Sequence, residues 1–223
     1  MISWIQTHIL YELIRHKTRR YSELRPRDVE SNLFMYHLKG LIKDGLVEKT
    51  STVYTLSDKG LQYVGMMSLE TGKTRLQPKI LTTVMCRNER DEYLFVEWCR
   101  QPNINQVSFP HGMVHFGESI VSAAKRELME KAGIMANVVY RGDVYIRGVR
   151  GEEVDRHMLA HVFEATNMRE GDKKQIRLEV SEPFWAPLEN IKADEYVPGF
   201  YELAKVATTR SDHFFEEIEV TIT

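Results

Sequence analysis

The sequence predicts two domains of different class: a small helical domain carrying a β-hairpin, then a larger mixed α/β (α+β) domain. Three observations predict this. Apolar residues recur at helical spacing in the first part, whereas beyond residue 79 strand-like and helix-like patterns interleave. Between the two lies the polar stretch Ser68–Pro78 (SLETGKTRLQP), with Gly72 and Pro78 and no apolar periodicity. The charge divides at the same place: residues 1–75 hold 12 Lys/Arg against 8 Asp/Glu, and residues 76–223 hold 18 against 24. A basic first part can meet a polyanion, and an acidic second part can gather cations. The division read from these signals is a small domain over 1–70, a linker over 71–78, a larger domain over 79–207 and a strand-like tail over 208–223.

The whole chain has 223 residues, 43% hydrophobic and 28% charged, the balance of an ordinary soluble globular protein. No apolar run approaches the ~18 residues needed to span a bilayer. The N-terminus has no basic stretch leading into an apolar core and cleavage site. These features point away from a membrane-bound or secreted protein and toward the cytoplasm. Cys86 and Cys99 are the only cysteines, which excludes a disulfide framework and fits a reducing compartment. Both read as small buried apolar residues.

In the first domain, Ile5, Ile9, Leu10, Leu13 and Ile14 define one helix. Val29, Leu33, Tyr36, Leu41 and Ile42 define a longer one starting near Asp28 and ending at Lys43-Asp44-Gly45, with glycine at the left-handed position. Leu46–Lys49 and Val53–Leu56 read as short strands joined by Thr50-Ser51-Thr52. Ser57-Asp58-Lys59-Gly60 can cap a further helix running through Val64. These segments fit the order helix, helix, helix, small hairpin, helix of a compact winged helix. The run Phe34–Glu48 followed by Tyr54–Gly60 (YTLSDKG) resembles winged helix-turn-helix transcription regulators over roughly residues 3–67. The resemblance implies a helix in the major groove of duplex DNA and, for half-site spacing, a homodimer. Candidate contacts are Asn32, Tyr36, His37 and Lys39 with Ser31 on that helix, and Arg19 and Arg20 with Arg15, Lys17 and Lys49 at phosphates. The alternative, ranked behind DNA binding, is that the Arg15–Arg20 cluster is a solvated face, Tyr36 and Leu38 are core, and the domain is a protein-docking or dimerisation module.

In the second domain Ile80–Cys86 and Tyr93–Trp98 read as strands flanking the turn Arg87–Glu92, and Val138–Ile146 and Leu159–Ala165 as two more. The strongest helix is Ile120–Ala132, capped by Ser119 and closed by Gly133. A further helical segment follows Val197-Pro198, and Ile218–Ile222 alternates like an exposed strand.

The segment Phe109–Ser119, continuing through Ala123–Ile134, carries the chemistry. Glu127, Glu130 and position 131 stand at i, i+3 and i+4, on one helix face. Glu118 approaches from the preceding loop, where Arg126 can hold it by a bidentate ion pair. Clustered carboxylates repel unless a hard cation such as Mg²⁺ neutralises them, and Mg²⁺ in turn bridges diphosphate oxygens and activates water. The spacing resembles the Nudix box, G-x5-E-x7-R-E-U-x-E-E-x-G-U with U aliphatic. Gly112, Glu118, Arg126, Glu127, Leu128, Glu130, Gly133 and Ile134 all match. The resemblance covers about residues 79–205, including Phe109-Pro110 before the box and Glu179–Trp185 with Pro187-Leu188 after it. It implies a Nudix-type α/β/α sandwich with a mixed sheet. It also implies a Mg²⁺ site at Glu127, Glu130 and Gly112, and hydrolysis of nucleoside diphosphate derivatives with Glu118, Glu127, Glu130 and Arg126 as the catalytic set. Gly112 and Gly117 read as tight turns wrapping the metal site.

One position departs. Lys131 stands where the family pattern has a second glutamate, ordinarily a metal ligand. An ammonium repels Mg²⁺, can pair with Glu127 one turn back, and can bind a phosphate directly; alternatively it points aside and the remaining carboxylates with a downstream acid hold one Mg²⁺. Around the box, Arg147 and Arg156, with Arg141 and Arg150, are candidates to hold the ligand or are a solvated rim. His111 and His115 flank the box and are candidates to touch a phosphate, with His115 equally readable as an ordinary loop residue. Glu152, Glu153 and Asp155 offer a supplementary acid. His157 and His161, four apart on a strand, make a poor zinc pair. Three readings follow: a DNA-binding regulator sensing a nucleoside diphosphate-type metabolite through a degenerate site, a Mg²⁺-dependent pyrophosphohydrolase, and an interaction module with neither activity. The regulator stands first.

Overall fold

The computed structural model describes residues 2–68, 71, 74–171, 176–177 and 179–222. Contacts divide the chain into two units, Met1–Leu76 and Gln77–Thr223. Of the polar stretch read as a boundary, residues 69, 70, 72 and 73 lie outside the described residues. The expected linker is not free chain at its described end, because Thr74 bridges Met67 and the Arg75 N–H donates to the Met66 carbonyl at 2.8 Å. Both residues belong to the first unit.

That unit opens with helix α1 (Trp4–Arg15), started by a reciprocal cap: Ser3 Oγ accepts from the Gln6 N–H at 3.2 Å, and the Gln6 side chain accepts from the Ser3 N–H at 3.0 Å. A two-residue strand β1 (Arg19–Arg20) and a single-turn helix α2 (Tyr21–Leu24) follow. Neither is long enough to show a hydrophobic period. Helix α3 (Ser31–Lys43) begins three residues later than expected. Pro26 starts a turn, closed by the Val29 N–H on the Pro26 carbonyl at 3.3 Å, so Asp28 and Val29 lie outside the helix. Gly45 takes φ +71° after α3, as the sequence predicts. Strands β2 (Val47–Thr50) and β3 (Val53–Leu56) form the hairpin, β1 adds to β3, and helix α4 (Asp58–Gly65) starts at the Ser57 cap. Ile5, Ile9, Leu10 and Leu13 of α1 bury against Phe34, Leu38 and Leu41 of α3. Full burial of such side chains contributes roughly 1.5–3 kcal/mol each.

The second unit holds two sheets. The larger has the order β11-β8-β9-β4-β7, from Phe214–Thr221, Ile134–Arg150, Glu153–Glu170, Lys79–Met85 and His111–Met113. It is mixed: β11 runs parallel to β8 and β4 parallel to β9, while β8–β9 and β4–β7 are antiparallel. The smaller has the order β10-β5-β6, from Ser181–Ala186, Tyr93–Trp98 and Val107–Ser108. Helix α5 (Ile120–Ala132) packs Ala124 and Leu128 on Val84, Phe163 and Ala165. Helix α6 (Phe200–Thr209) packs Phe200 and Leu203 with Val144, Ile146, Ala160 and Val162. Neighbouring residues of a strand face opposite ways, so α5 and α6 flank opposite faces of the large sheet. The residues expected as a tail are instead the edge strand β11, paired with β8 from Phe214 to Thr221. Cys86 is buried, but Cys99 is exposed just beyond β5, contrary to its reading as core. Among the described residues no helix is long and apolar enough to cross a membrane.

Candidate active site

Helix α5 begins at Ser119, whose Oγ accepts the Ser122 N–H at 3.2 Å, and ends at Gly133 with φ +65°. These caps fix which residues face β7. Gly112, in the middle of β7, pairs with Thr82 of β4. It is no tight turn. A Cβ there would stand 2.0 Å from the Glu127 carboxyl carbon, so the missing side chain admits the carboxylate against the strand. The turn is at Gly117, φ +83°, in the loop that carries Glu118.

Arg126 gathers the acids. Its Nε donates to Glu118 Oε1 at 2.9 Å and one terminal nitrogen to Oε2 at 2.8 Å; the latter also donates to the Met113 carbonyl at 3.0 Å. The other terminal nitrogen donates to Glu127 Oε1 at 2.5 Å and lies 3.9 Å from Glu130 Oε2. Glu130 also accepts from Arg177 at 3.2 Å. The bidentate pair with Arg126 holds the Glu118 carboxyl down at about 2. Glu127, 5% exposed, is pushed up by burial against the opposing pull of Arg126.

Lys131 takes an unforeseen course. It is 6% exposed, and its Nζ lies 5.1 Å from the centroid of the Trp98 ring. The helix pair with Glu127 allowed by spacing is not made, since Arg126 already occupies that carboxylate. Burial pushes the Lys131 ammonium below its ordinary range. Trp98 is itself fixed: its Nε1–H donates to Ser108 Oγ at 2.9 Å, and Ser108 Oγ lies 3.0 Å from His111 Nδ1. Sequence reasoning missed Trp98, Ser108 and Arg177, which arrive from distant segments with no motif to mark them.

His111 is buried and stacked on Phe200, with ring centroids 4.2 Å apart, and desolvation pushes it down to about 4. It is therefore neutral at pH 7 and does not act as a phosphate-binding cation. The unfolded chain takes up a proton near the ordinary value of 6.5, whereas the folded chain does so only near 4. Stability contributed by His111 is thus full above the unfolded value and falls as pH drops through 6.5 toward 4. Urea unfolding at pH 7 and pH 5 should differ by ~2 kcal/mol from this group, at 1.36 kcal/mol per unit. A His111→Gln variant should remove that difference; an equal slope in the variant would show that another group causes it.

The structure does not bring the predicted ligand arginines to the box. Gly112 shares a row with Thr82 and His161 across the sheet. Arg147 lies ~14 Å across and ~13 Å along from that row and pairs with Glu219. Arg156 lies ~16 Å along β9 and donates to Asn103 at 3.0 Å. Arg141 pairs with Glu164, and Arg150 with Asp155 at 3.5 Å. Glu152 and Glu153 stand with Asp155 at the far end of the β8–β9 hairpin. His161 Nδ1 bonds Asp143 at 2.7 Å, and His157 lies ~13 Å down the same strand, so they form no metal pair.

A NUDIX domain model matches residues 78–205. The chain belongs to the NUDIX family. Its NUDIX domain resembles the crystal structure of a mutator MutT protein from Bacillus halodurans, 19% identical, with TM-score 0.51, covering 64% of this chain and 90% of that one. A MutT NUDIX hydrolase from Burkholderia pseudomallei is 18% identical, with TM-score 0.48 and coverage of 61% and 99%. These likenesses concern the fold alone. No curated protein matches the chain.

NUDIX hydrolases typically use divalent metals, and the residues here fit one poorly. Glu118, Glu127 and Glu130 all converge on Arg126, with Arg177 on Glu130 as well. The residue after Glu130 is Lys131, which adds a cation and not an acid to this helix face. Among the described residues no group of three His, Cys, Asp or Glu is disposed to hold a metal ion.

Proposed function

We propose that the protein is a DNA-binding regulator whose NUDIX domain senses a nucleoside diphosphate-type metabolite without turning it over at enzyme rates. The observation that carries the sensor half is Lys131, buried on Trp98 where the family pattern has a metal-binding glutamate, beside carboxylates already held by Arg126.

The DNA half rests on the first unit read as a winged helix-turn-helix. Its α3 carries Asn32, Tyr36 and Lys39 at i, i+4 and i+7, exposed on one face, with Tyr36 72% exposed. Such a face suits the major groove, and a cytoplasmic homodimer would supply two half-sites. His37 is a weaker candidate than expected, being half-buried and bonded through Nδ1 to Ser3 Oγ at 3.1 Å. Arg19 lies 3.6 Å from both Glu12 and Glu23, which leaves the exposed Arg20 as the better phosphate contact.

Anisotropy titrations of the full chain with duplex DNA should show affinity falling roughly 500-fold between 50 and 200 mM salt for about five phosphate contacts. The double variant Arg20→Ala, Lys39→Ala should weaken all sequences, and Asn32→Ala should change sequence preference. Affinity unchanged in the double variant would remove the DNA half. A diphosphate ligand and DNA should alter each other's affinity by the same factor.

The second reading, a Mg²⁺-dependent hydrolase of nucleoside diphosphate derivatives, is favoured by the close seat of Glu127 on Gly112. Turnover of ~1 s⁻¹ or more, abolished by Glu127→Gln, would place that reading first.

A further inference from the structure

We propose that a groove on the NUDIX domain, between helix α5 and the β8–β9 ribbon, binds a nucleoside monophosphate away from the box. This goes beyond the preceding reading and depends on neither of its halves.

The groove has a volume of about 510 Å³, within the ~300–1,000 Å³ usual for small-molecule sites. Helix α5 contributes Lys125 and Met129. The ribbon contributes Met135 and Asn137 from β8, with Asn167 and Arg169 from β9. At ~3.6 residues per turn, Lys125 and Met129 each stand two residues from Glu127, on the opposite flank of the helix. The groove is thus separate from the seat of Glu127 on Gly112. Arg126 borders it as well, but its donors are spent on Glu118, Glu127 and the Met113 carbonyl.

The backbone is irregular at this same place. Register runs from Met135 opposite Arg169 to Asn137 opposite Thr166, so one residue of β8, Ala136, stands against two of β9, Asn167 and Met168. Asn167 takes φ +52°, the left-handed conformation that glycine adopts most cheaply in a bulge. Bulges recur beside functional sites, where they re-aim a side chain. A carboxamide kept where glycine would fit without strain implies a use for it.

The ligand class follows from the lining. Lys125 and Arg169 are exposed, and neither has an ion pair or side-chain hydrogen bond among the described residues. No acid stands among the described residues that line the groove. Two cations match a phosphate monoester, which carries ~1.5–2 negative charges at pH 7. Asn137 and Asn167 each offer carboxamide donors and an acceptor, the complement of a nucleobase edge. Met129 and Met135 supply thioethers, which make favourable contacts with an aromatic ring. A bare phosphate would leave both carboxamides and both thioethers unused.

The test is calorimetry of the full chain with AMP, adenosine and inorganic phosphate. AMP should bind at least tenfold tighter than either part alone. The double variant Lys125→Ala, Arg169→Ala should lose at least tenfold in AMP affinity, the scale of one hydrogen bond to a charged group. Asn167→Gly should weaken AMP severalfold at little change in Tm, because glycine takes the left-handed backbone freely. A purely structural Asn167 would leave AMP affinity unchanged. Lys131→Glu, at the box, should not alter AMP binding. Phosphate binding as tightly as AMP, or AMP affinity that survives the double substitution, overturns the proposal. AMP binding lost in Lys131→Glu and kept in the groove variants would place the nucleotide in the box and overturn it too. So would a short oligonucleotide that binds at least tenfold tighter than AMP, which would make the groove a strand-binding surface.

Discussion

Replacing Arg126 by alanine should cost about 3 kcal/mol of stability at pH 7, measured by urea unfolding. The side chain holds Glu118 by two hydrogen bonds, Glu127 by one and the Met113 carbonyl by another. Its removal leaves Glu127 buried without its hydrogen-bonded cation, with Lys131 as the nearer remaining positive charge, and three acids facing one another. Uncompensated buried charge is the expensive part, more than the bonds themselves. The pH dependence distinguishes this cause from lost packing. Without Arg126 the Glu127 carboxyl rises further above its ordinary value, so the folded variant holds a proton that the unfolded chain releases. Its stability then falls as pH rises, and the deficit against the parent should shrink between pH 7 and pH 5. Arg126→Lys should recover little, since a point charge cannot reproduce the forked geometry. A loss below ~1 kcal/mol would mean that Arg126 behaves as an ordinary surface pair.

Helix α5 shows how far local signals reach. Its bounds, Ile120–Ala132, follow from a serine cap, a left-handed glycine and an apolar stripe, all of which act within one turn of the residue concerned. The same reach puts Glu118 beside Arg126, because the loop between them is short and closed by Gly117. It fails where the answer depends on another strand. Spacing alone pairs Lys131 with Glu127, but Trp98 arrives from β5 and Arg126 takes the carboxylate. Arg147 and Arg156 fail for the same reason: their partners, Glu219 on β11 and Asn103 before β6, are set by sheet order. Strands β6 and β7, of two and three residues, exist through pairing with β5 and β4 and carry no period of their own. The final strand alternates as read, yet only its parallel register with β8 makes it part of the sheet.

Substituting Lys131→Glu should raise the affinity of the NUDIX box for divalent cations. The change makes position 131 two units more negative and places a third acid on the face of α5 that holds Glu127 and Glu130. At an effective dielectric of ~20, one unit charge at ~4 Å is worth ~4 kcal/mol before desolvation. A gain of at least a hundredfold in Mg²⁺ affinity, ~2.7 kcal/mol, is therefore the conservative expectation. Without metal the variant should unfold at lower temperature than the parent, because a buried carboxylate replaces an ammonium beside two others and beside the negative face of the Trp98 ring. Added Mg²⁺ should then raise its Tm, and by linkage a concentration 100 times the Kd restores ~2.7 kcal/mol. The parent should show no Mg²⁺-dependent shift. Diphosphate hydrolysis appearing in the variant and absent from the parent would assign the loss of turnover to this single residue. A parent whose Tm rises with Mg²⁺ as much as the variant's would show that the cation binds away from Lys131, and the hydrolase reading would then lead.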